Sequence, residues 1–252
     1  MNILHLKSTF IVFAGLLLFS TASKAQTNLK WHLNLGTGLT DMRNFNTSFN
    51  ELRYEMVGSG NNDASISFQM ENKPAVLLNV GGGLSGVFGQ NEMVGWDIGA
   101  NIRTAGFRLK ANLLESHGEL VDFYKEALPE FNTIDNFRYW ALHIPMSLNY
   151  IPFEVIGFTI GGDLYYQFSK NPTASHPSGK LNQQMVFFPP SYKHPFQLGT
   201  HIGVFAPISQ RIRLDLQFMT DISPRLSVDM TSDNLKFREM GLMINVKYSL
   251  GM

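Results

Sequence analysis

The sequence predicts an all-β chain: a closed, eight-stranded antiparallel transmembrane β-barrel with long extracellular loops, one of them carrying a short helix. Three observations predict it. Eight segments alternate apolar and non-apolar residues with a period of two, which places one set on each face of a strand. The links between them run long, short, long, short, long, short, medium, as in barrels with short periplasmic turns and longer outer loops. Charge within the segments falls almost wholly on one parity, and that parity is otherwise rich in Gly, Ser and Asn.

The chain opens with a secretory signal. Lys7 supplies the positive start, Phe10 to Phe19 is apolar, and Ser23-Lys24-Ala25 gives the small residues a signal peptidase requires. Cleavage before Gln26 leaves 227 of the 252 residues, 26–252, as one barrel domain. The apolar run is too short for a comfortable membrane helix. The chain has no cysteine, which excludes disulfides, a thiol nucleophile and a lipid-modified cysteine. The signal takes two lysines with it, so the mature chain carries 18 basic and 20 acidic residues, a balance that points to no nucleic-acid partner.

Strand 1 spans about 29–40, with Trp31, Leu33, Leu35 and Leu39 opposed to His32, Asn34, Gly36 and Gly38. A polar stretch, 41–74, reads as a long loop. Strand 2, about 75–88, shows Leu78, Val80, Leu84 and Phe88 on its apolar parity, and 89–91 make a tight turn. Strand 3 opposes Val94, Trp96, Ile98, Ala100 and Ile102 to Gly95, Asp97, Gly99, Asn101 and Arg103. Beyond Ile102 the chemistry inverts: Thr104, Gly106, Arg108 and Lys110 take the outer side, while Ala105, Phe107 and Leu109 take the inner one. The strand is therefore expected to leave the membrane and continue outward. Residues 111–136 form the next link, in which Leu120, Phe123, Tyr124, Ala127 and Leu128 have helical spacing up to Pro129. That helix is expected to pack on the apolar inner side of strand 3 as part of an extracellular cap.

The segment 140–168 is the clearest hairpin. Trp140, Leu142, Ile144, Met146, Leu148 and Tyr150 alternate with Ala141, His143, Pro145, Ser147 and Asn149. After the turn at 151–154, Ile156, Phe158, Ile160, Leu164, Tyr166 and Phe168 alternate with Gly157, Thr159, Gly161, Asp163, Tyr165 and Gln167. Pro145 lies mid-strand without an N–H to give, so a bulge or a missing ladder bond is expected around 144–146, with its ring toward the lumen. The link 169–195 precedes strand 6, where Phe196, Leu198, Ile202 and Val204 are apolar against Gln197, Gly199, His201 and Gly203. Strand 7 (Ile212, Leu214, Leu216, Phe218) and strand 8 (Met240, Leu242, Ile244, Val246, Tyr248, Leu250) complete the set.

A ten-residue strand is about 33 Å long, and a tilt of about 40° matches it to an apolar band of ~25 Å. Aromatic residues mark both rims of that band. Trp31, Phe88, Tyr150 and Tyr248 lie near the short turns, and Trp140, Tyr166 and Phe168 near the long loops.

The signature Ser23-Lys24-Ala25-Gln26, the run Tyr139-Trp140-Ala141-Leu142-His143-Ile144-Pro145-Met146 and the glycine-rich fifth strand resemble the PorT-like outer-membrane barrels of Bacteroidota. The whole mature chain fits the pattern, although Leu250-Gly251-Met252 lacks the terminal aromatic common in such barrels and Tyr248 would take its place. The resemblance implies an eight-stranded barrel in the outer membrane, some of whose relatives serve protein secretion.

Site chemistry is sparse. Gly81-Gly82-Gly83 lies inside a strand with no Lys-Ser/Thr pair after it, so close packing explains it better than a phosphate loop. No histidine among His32, His117, His143, His176, His194 and His201 has metal-ligand spacing; His32, His143 and His201 point into the lumen. His143 and Ser147 share a face but sit about 13 Å apart along a strand, beyond general-base contact. No catalytic, cofactor or metal-binding residue is expected. Asp97, Arg103, Asp163, Arg213, Asp215 and Lys247 share the luminal parity and sum to zero charge, which reads as a paired plug rather than a conduction path.

The functional expectation is a non-enzymatic integral outer-membrane protein, an accessory of secretion or envelope assembly. Its partners would be outer-membrane lipids, the barrel-assembly machinery during insertion, and a secretion or envelope protein. One alternative is a narrow pore or binder for small amphiphiles. A second is a secreted, lipocalin-like protein with its apolar parity turned inward.

Overall fold

A computed structural model describes residues 29–43, 52–56, 64–88, 93–117, 134–153, 155–168, 173–174, 191–192, 195–229 and 234–250. The expected signal segment and the helix expected over 120–128 lie outside these residues. Eight strands build the barrel: β1 (Lys30–Arg43), β2 (Ala64–Phe88), β3 (Val94–His117), β4 (Ile134–Tyr150), β5 (Gly157–Gln167), β6 (Phe196–Pro207), β7 (Ile212–Asp221) and β8 (Asn234–Leu250). Each pairs antiparallel with its sequence neighbours, and β8 pairs back onto β1 from Trp31↔Leu250 to Arg43↔Arg238, closing the sheet. Closure removes both sheet edges.

The alternation resolves into an apolar outside and a polar inside. On β7, Leu214, Leu216 and Phe218 are exposed while Asp215, Gln217 and Met219 are buried. On β8, Leu242, Ile244 and Val246 are exposed against buried Met243, Asn245 and Lys247. The same division holds on β1, β4, β5 and β6, and the rim aromatics Trp31, Tyr150, Tyr248, Trp140, Tyr166 and Phe168 all lie on the outside. A lipocalin-like protein requires the opposite arrangement, so that alternative is corrected. Such an outside is stable only against hydrocarbon, because the apolar side chains gain nothing by facing water.

The stretch expected as a loop over 41–74 is partly strand. Leu52–Met56 pairs with the start of β2, and β2 runs unbroken from Ala64 through Pro74 into the membrane-facing belt. The sequence hid this because the pattern changes phase. Ala75, Leu77 and Asn79 point inward on one side of a β-bulge, and Phe68, Met70 and Asn72 on the other. One extra residue on β2 moves each later side chain to the other face. Pro74 sits at that irregularity, where a missing N–H costs no ladder bond.

β3 leaves the belt as expected. Ala105, Phe107 and Leu109 are buried inward, and the β2–β3 ribbon continues from Lys73↔Arg108 to Ser65↔His117, about 30 Å further. Its apolar inner side is covered in part by β4, where Phe137 stacks on Phe107 at 5.1 Å between ring centroids.

The ladder between β3 and β4 breaks at Pro145. Pairing stops at Ile98↔Met146 and resumes at Asn101↔His143 in the same register, so this is a gap and not a bulge. β4 itself is continuous, and its other side keeps Pro145↔Asp163 with β5. Gly99 makes room for the ring: a Cβ there would lie 3.1 Å from Pro145 Cγ.

Two sets of substitutions test which face meets lipid. Leu142→Arg, Ile160→Arg and Leu216→Arg should each cost about 2–4 kcal/mol in refolding into lipid vesicles. Ser147→Ala and Gln217→Asn, on the inner face and adding no charge, should cost less. Equal costs for both sets would contradict the orientation.

Candidate functional site

The interior is the chemically dense part of the chain, and it is organised in three levels. Near the short turns, Lys247 Nζ donates to Asp97 Oδ2 at 2.8 Å and lies 3.4 Å from Asp215 Oδ2. Arg213 binds Asp215 through two bonds, at 2.7 and 2.8 Å, and stands 3.8 Å from Asp97. The guanidinium also lies over the Phe205 ring at 4.3 Å. His32 completes this level, 3.7 Å from Asp97.

Near the long loops, Arg103 Nη2 donates to Glu239 Oε1 at 2.6 Å, and the Tyr139 hydroxyl donates to Glu239 Oε2 at 2.7 Å. Arg225 forms two bonds to Asp221, at 2.7 and 2.6 Å, and sits 4.0 Å from Glu239. Both guanidinium groups lie over the Tyr165 ring, at 4.8 and 4.7 Å. Such pairing is what makes buried charge tolerable.

All six ionisable residues expected in the lumen are there, and five of them pair directly with opposite permanent charge. Asp97, Asp215, Arg213 and Lys247 form one cluster, while Arg103 takes Glu239. The sequence reading missed Glu239, Asp221 and Arg225. The first two were within reach, since the inner parity of β8 continues through Gly241 to Glu239 and that of β7 to Asp221. Arg225 follows β7 in a turn and reaches back into the barrel, which no periodicity announces.

Between these levels Asp163 is held by two histidines. Its Oδ1 lies 2.8 Å from His143 Nε2, and its Oδ2 lies 2.9 Å from His201 Nδ1. His201 Nε2 in turn lies 2.9 Å from Ser147 Oγ. The sequence reading weighed only His143 against Ser147, and no single-strand spacing announces His201. The separation along β4 excludes His143, but His201 reaches over from β6, in the same cross-strand row, above Gly161 of β5. Gly161 permits it, because a Cβ there would stand 2.5 Å from His201 Cε1.

Ser147, His201 and Asp163 thus have the connectivity of a serine-hydrolase relay. The rest of such a site is not built around them. Ser147 is 7% exposed, in a ladder with Asp97 on one side and Gly161 on the other. Backbone N–H groups committed to ladders are not free to stabilise an oxyanion. Asp163 divides its two oxygens between two imidazoles, and His143 also touches Asn79 at 3.3 Å and stacks on Tyr165 at 4.7 Å. The chain of bonds fills the barrel centre with mutually satisfied polar groups. No group of three or more His, Asp or Glu able to hold a metal occurs among the described residues.

The glycines Gly81 and Gly83 pack closely, as expected: a Cβ on Gly83 would stand 2.8 Å from His32 Nε2. Outside the belt, Lys73 donates to Glu71 at 2.5 Å and holds that carboxyl below its ordinary range.

Two measurements check this account of the interior. Glu239→Ala strands Arg103 and should cost about 3–5 kcal/mol in urea unfolding, whereas adding Arg103→Met should recover part of that loss. Ser147 should stay unlabelled by a fluorophosphonate probe under conditions that label a serine hydrolase. A labelled Ser147 would contradict the closed interior.

No protein-family model matches the chain, and no curated protein matches it by sequence. Solved structures similar to it include Neisserial surface protein A (NspA), with a TM-score of 0.37 at 9% identity over 88% of this chain and 98% of that one. The outer membrane protein OprG from Pseudomonas aeruginosa has a TM-score of 0.37 at 11% identity over 88% and 96%. Ail, the attachment invasion locus protein of Yersinia pestis, has a TM-score of 0.30 at 10% identity over 87% and 98%. Overlaps this low carry no argument about function, and the architecture rests on the chain's own ladders.

Proposed function

We propose that the chain is a non-enzymatic integral protein of a bacterial outer membrane, akin to the PorT-like barrels and serving protein secretion or envelope assembly. The observation that carries this reading is the inverted distribution of polarity: an apolar belt with aromatic rims surrounds an interior of paired charge. Only a lipid bilayer accepts that outside, and outer membranes are where closed barrels of this kind are found. In this reading residues 1–25 direct export and are removed, and the barrel-assembly machinery inserts the mature chain. The long-loop end, built on the β2–β3 ribbon, faces outward and offers the surface for a protein partner.

The interior supports a supporting or docking role over transport. Lys247 to Asp97 spans from β8 to β3, and Arg103 Nη1 lies 4.0 Å from Met219 Sδ, from β3 to β7, so side chains cross the lumen. A barrel of eight strands is narrow enough to be filled in this way.

Cell fractionation should place the protein in the outer membrane, and its deletion should impair secretion or envelope integrity with rescue by the intact gene. Recovery as a soluble secreted protein would refute the location, and an unaffected secretome and envelope would refute the role. In planar bilayers the purified protein should give little or no steady current, while a large reproducible conductance would favour the pore alternative.

A further inference from the structure

We propose that the mouth of the barrel at the short-turn end is a binding site for a phosphate-bearing group. A cavity of about 210 Å³ opens there, lined among others by Lys30, Asn149, Arg211, Arg213 and Ser249. Lys30, Asn149, Arg213 and Ser249 occupy the last inward-facing positions of β1, β4, β7 and β8, and Arg211 lines the cavity from the turn before β7. The cavity is therefore the end of the lumen and not a groove on the lipid face.

Its electrostatics are one-sided. Among the described residues that line it, three are cations and none is an acid. Among the described residues the acids of this end, Asp97 and Asp215, are already matched by Lys247 and Arg213 in the level behind. Lys30 and Arg211 have no ion-pair partner among the described residues, so within these residues the mouth carries two unpaired positive charges. A wall of this sign with low-dielectric surroundings concentrates anions.

A second observation points to a ligand. Asn149 is 4% exposed, yet its side-chain oxygen has no hydrogen-bond partner among the described residues. A buried amide without a partner is costly. That oxygen accepts, so it suits the P–OH of a protonated phosphate or a head-group hydroxyl, while the Ser249 hydroxyl can donate to a phosphate oxygen. Arginine and lysine supply the charged donors that phosphate recognition uses. The volume lies below the ~300 Å³ of drug-sized pockets, which restricts the occupant to a small head group or a free anion.

Those two sources share one chemistry: free phosphate from the aqueous side, or a phospholipid head group folded in from the adjoining leaflet. The head-group source rests on the bilayer reading above; the free-anion source does not. Calorimetry of the full mature protein in a non-ionic detergent, titrated with sodium phosphate at constant ionic strength, reads the first. Native mass spectrometry from nanodiscs of phosphatidylcholine with phosphatidylglycerol reads the second. Lys30→Gln/Arg211→Gln should weaken whichever binding occurs at least tenfold, while Lys110→Gln, at the opposite end, should leave it unchanged. Heat-modifiable migration on gels confirms that each variant is folded.

Saturable phosphate binding lost in the double variant assigns the site to a free anion. Retention of phosphatidylglycerol alone, lost in the same variant, assigns it to a head group. Absence of both, or equal binding by the double variant, would overturn the proposal without bearing on where the protein resides.

Discussion

The structure depends on the matching of charge inside a closed ring of strands. Once the outer face is given to hydrocarbon, a side chain of the other parity has only the lumen to enter, and the lumen is too narrow to hydrate each charge separately. Asp97, Asp215, Arg213 and Lys247 answer that constraint at one level, and Arg103, Arg225, Asp221 and Glu239 at another. Cross-lumen pairs such as Lys247 with Asp97 link strands that are not neighbours in the sheet. They tie the ring together where no ladder can. Asp163 is the acid left over from these two sets, and two histidines meet it instead of a permanent base.

Small residues set where the polar groups can go. Gly161 leaves the space that the His201 ring fills, and Gly157 does the same for Phe205. Gly99 accommodates Pro145, so a strand lacking one N–H still passes continuously through a sheet that has no edge. The gap in pairing between β3 and β4 faces residues already fixed by the ladder to β5, which confines the irregularity to one side.

Period-two alternation displayed most of the barrel in the sequence, because hydrocarbon outside and polar groups inside impose it on every strand. It gave the eight strands, the faces of Leu216 and Gln217, and the six luminal charges. It failed where the phase slipped at Pro74, since a bulge exchanges faces without leaving a local mark. It also failed for contacts between strands. That Ser147 meets His201 depends on the relative stagger of β4, β5 and β6, which no single segment encodes. Arg225 was invisible for a related reason, as a turn residue acquires its burial only from the strands beneath it.

The central claim is that β7 presents its apolar parity to lipid and its charged parity to a closed lumen. The chain has no cysteine, so single cysteines can be introduced and spin-labelled without background. Accessibility to oxygen, which partitions into lipid, should be measured in vesicles along residues 212–219. High values at 212, 214, 216 and 218 with low values at 213, 215, 217 and 219 are the expected result. The reverse pattern, or uniform accessibility to a water-soluble relaxant, would contradict it.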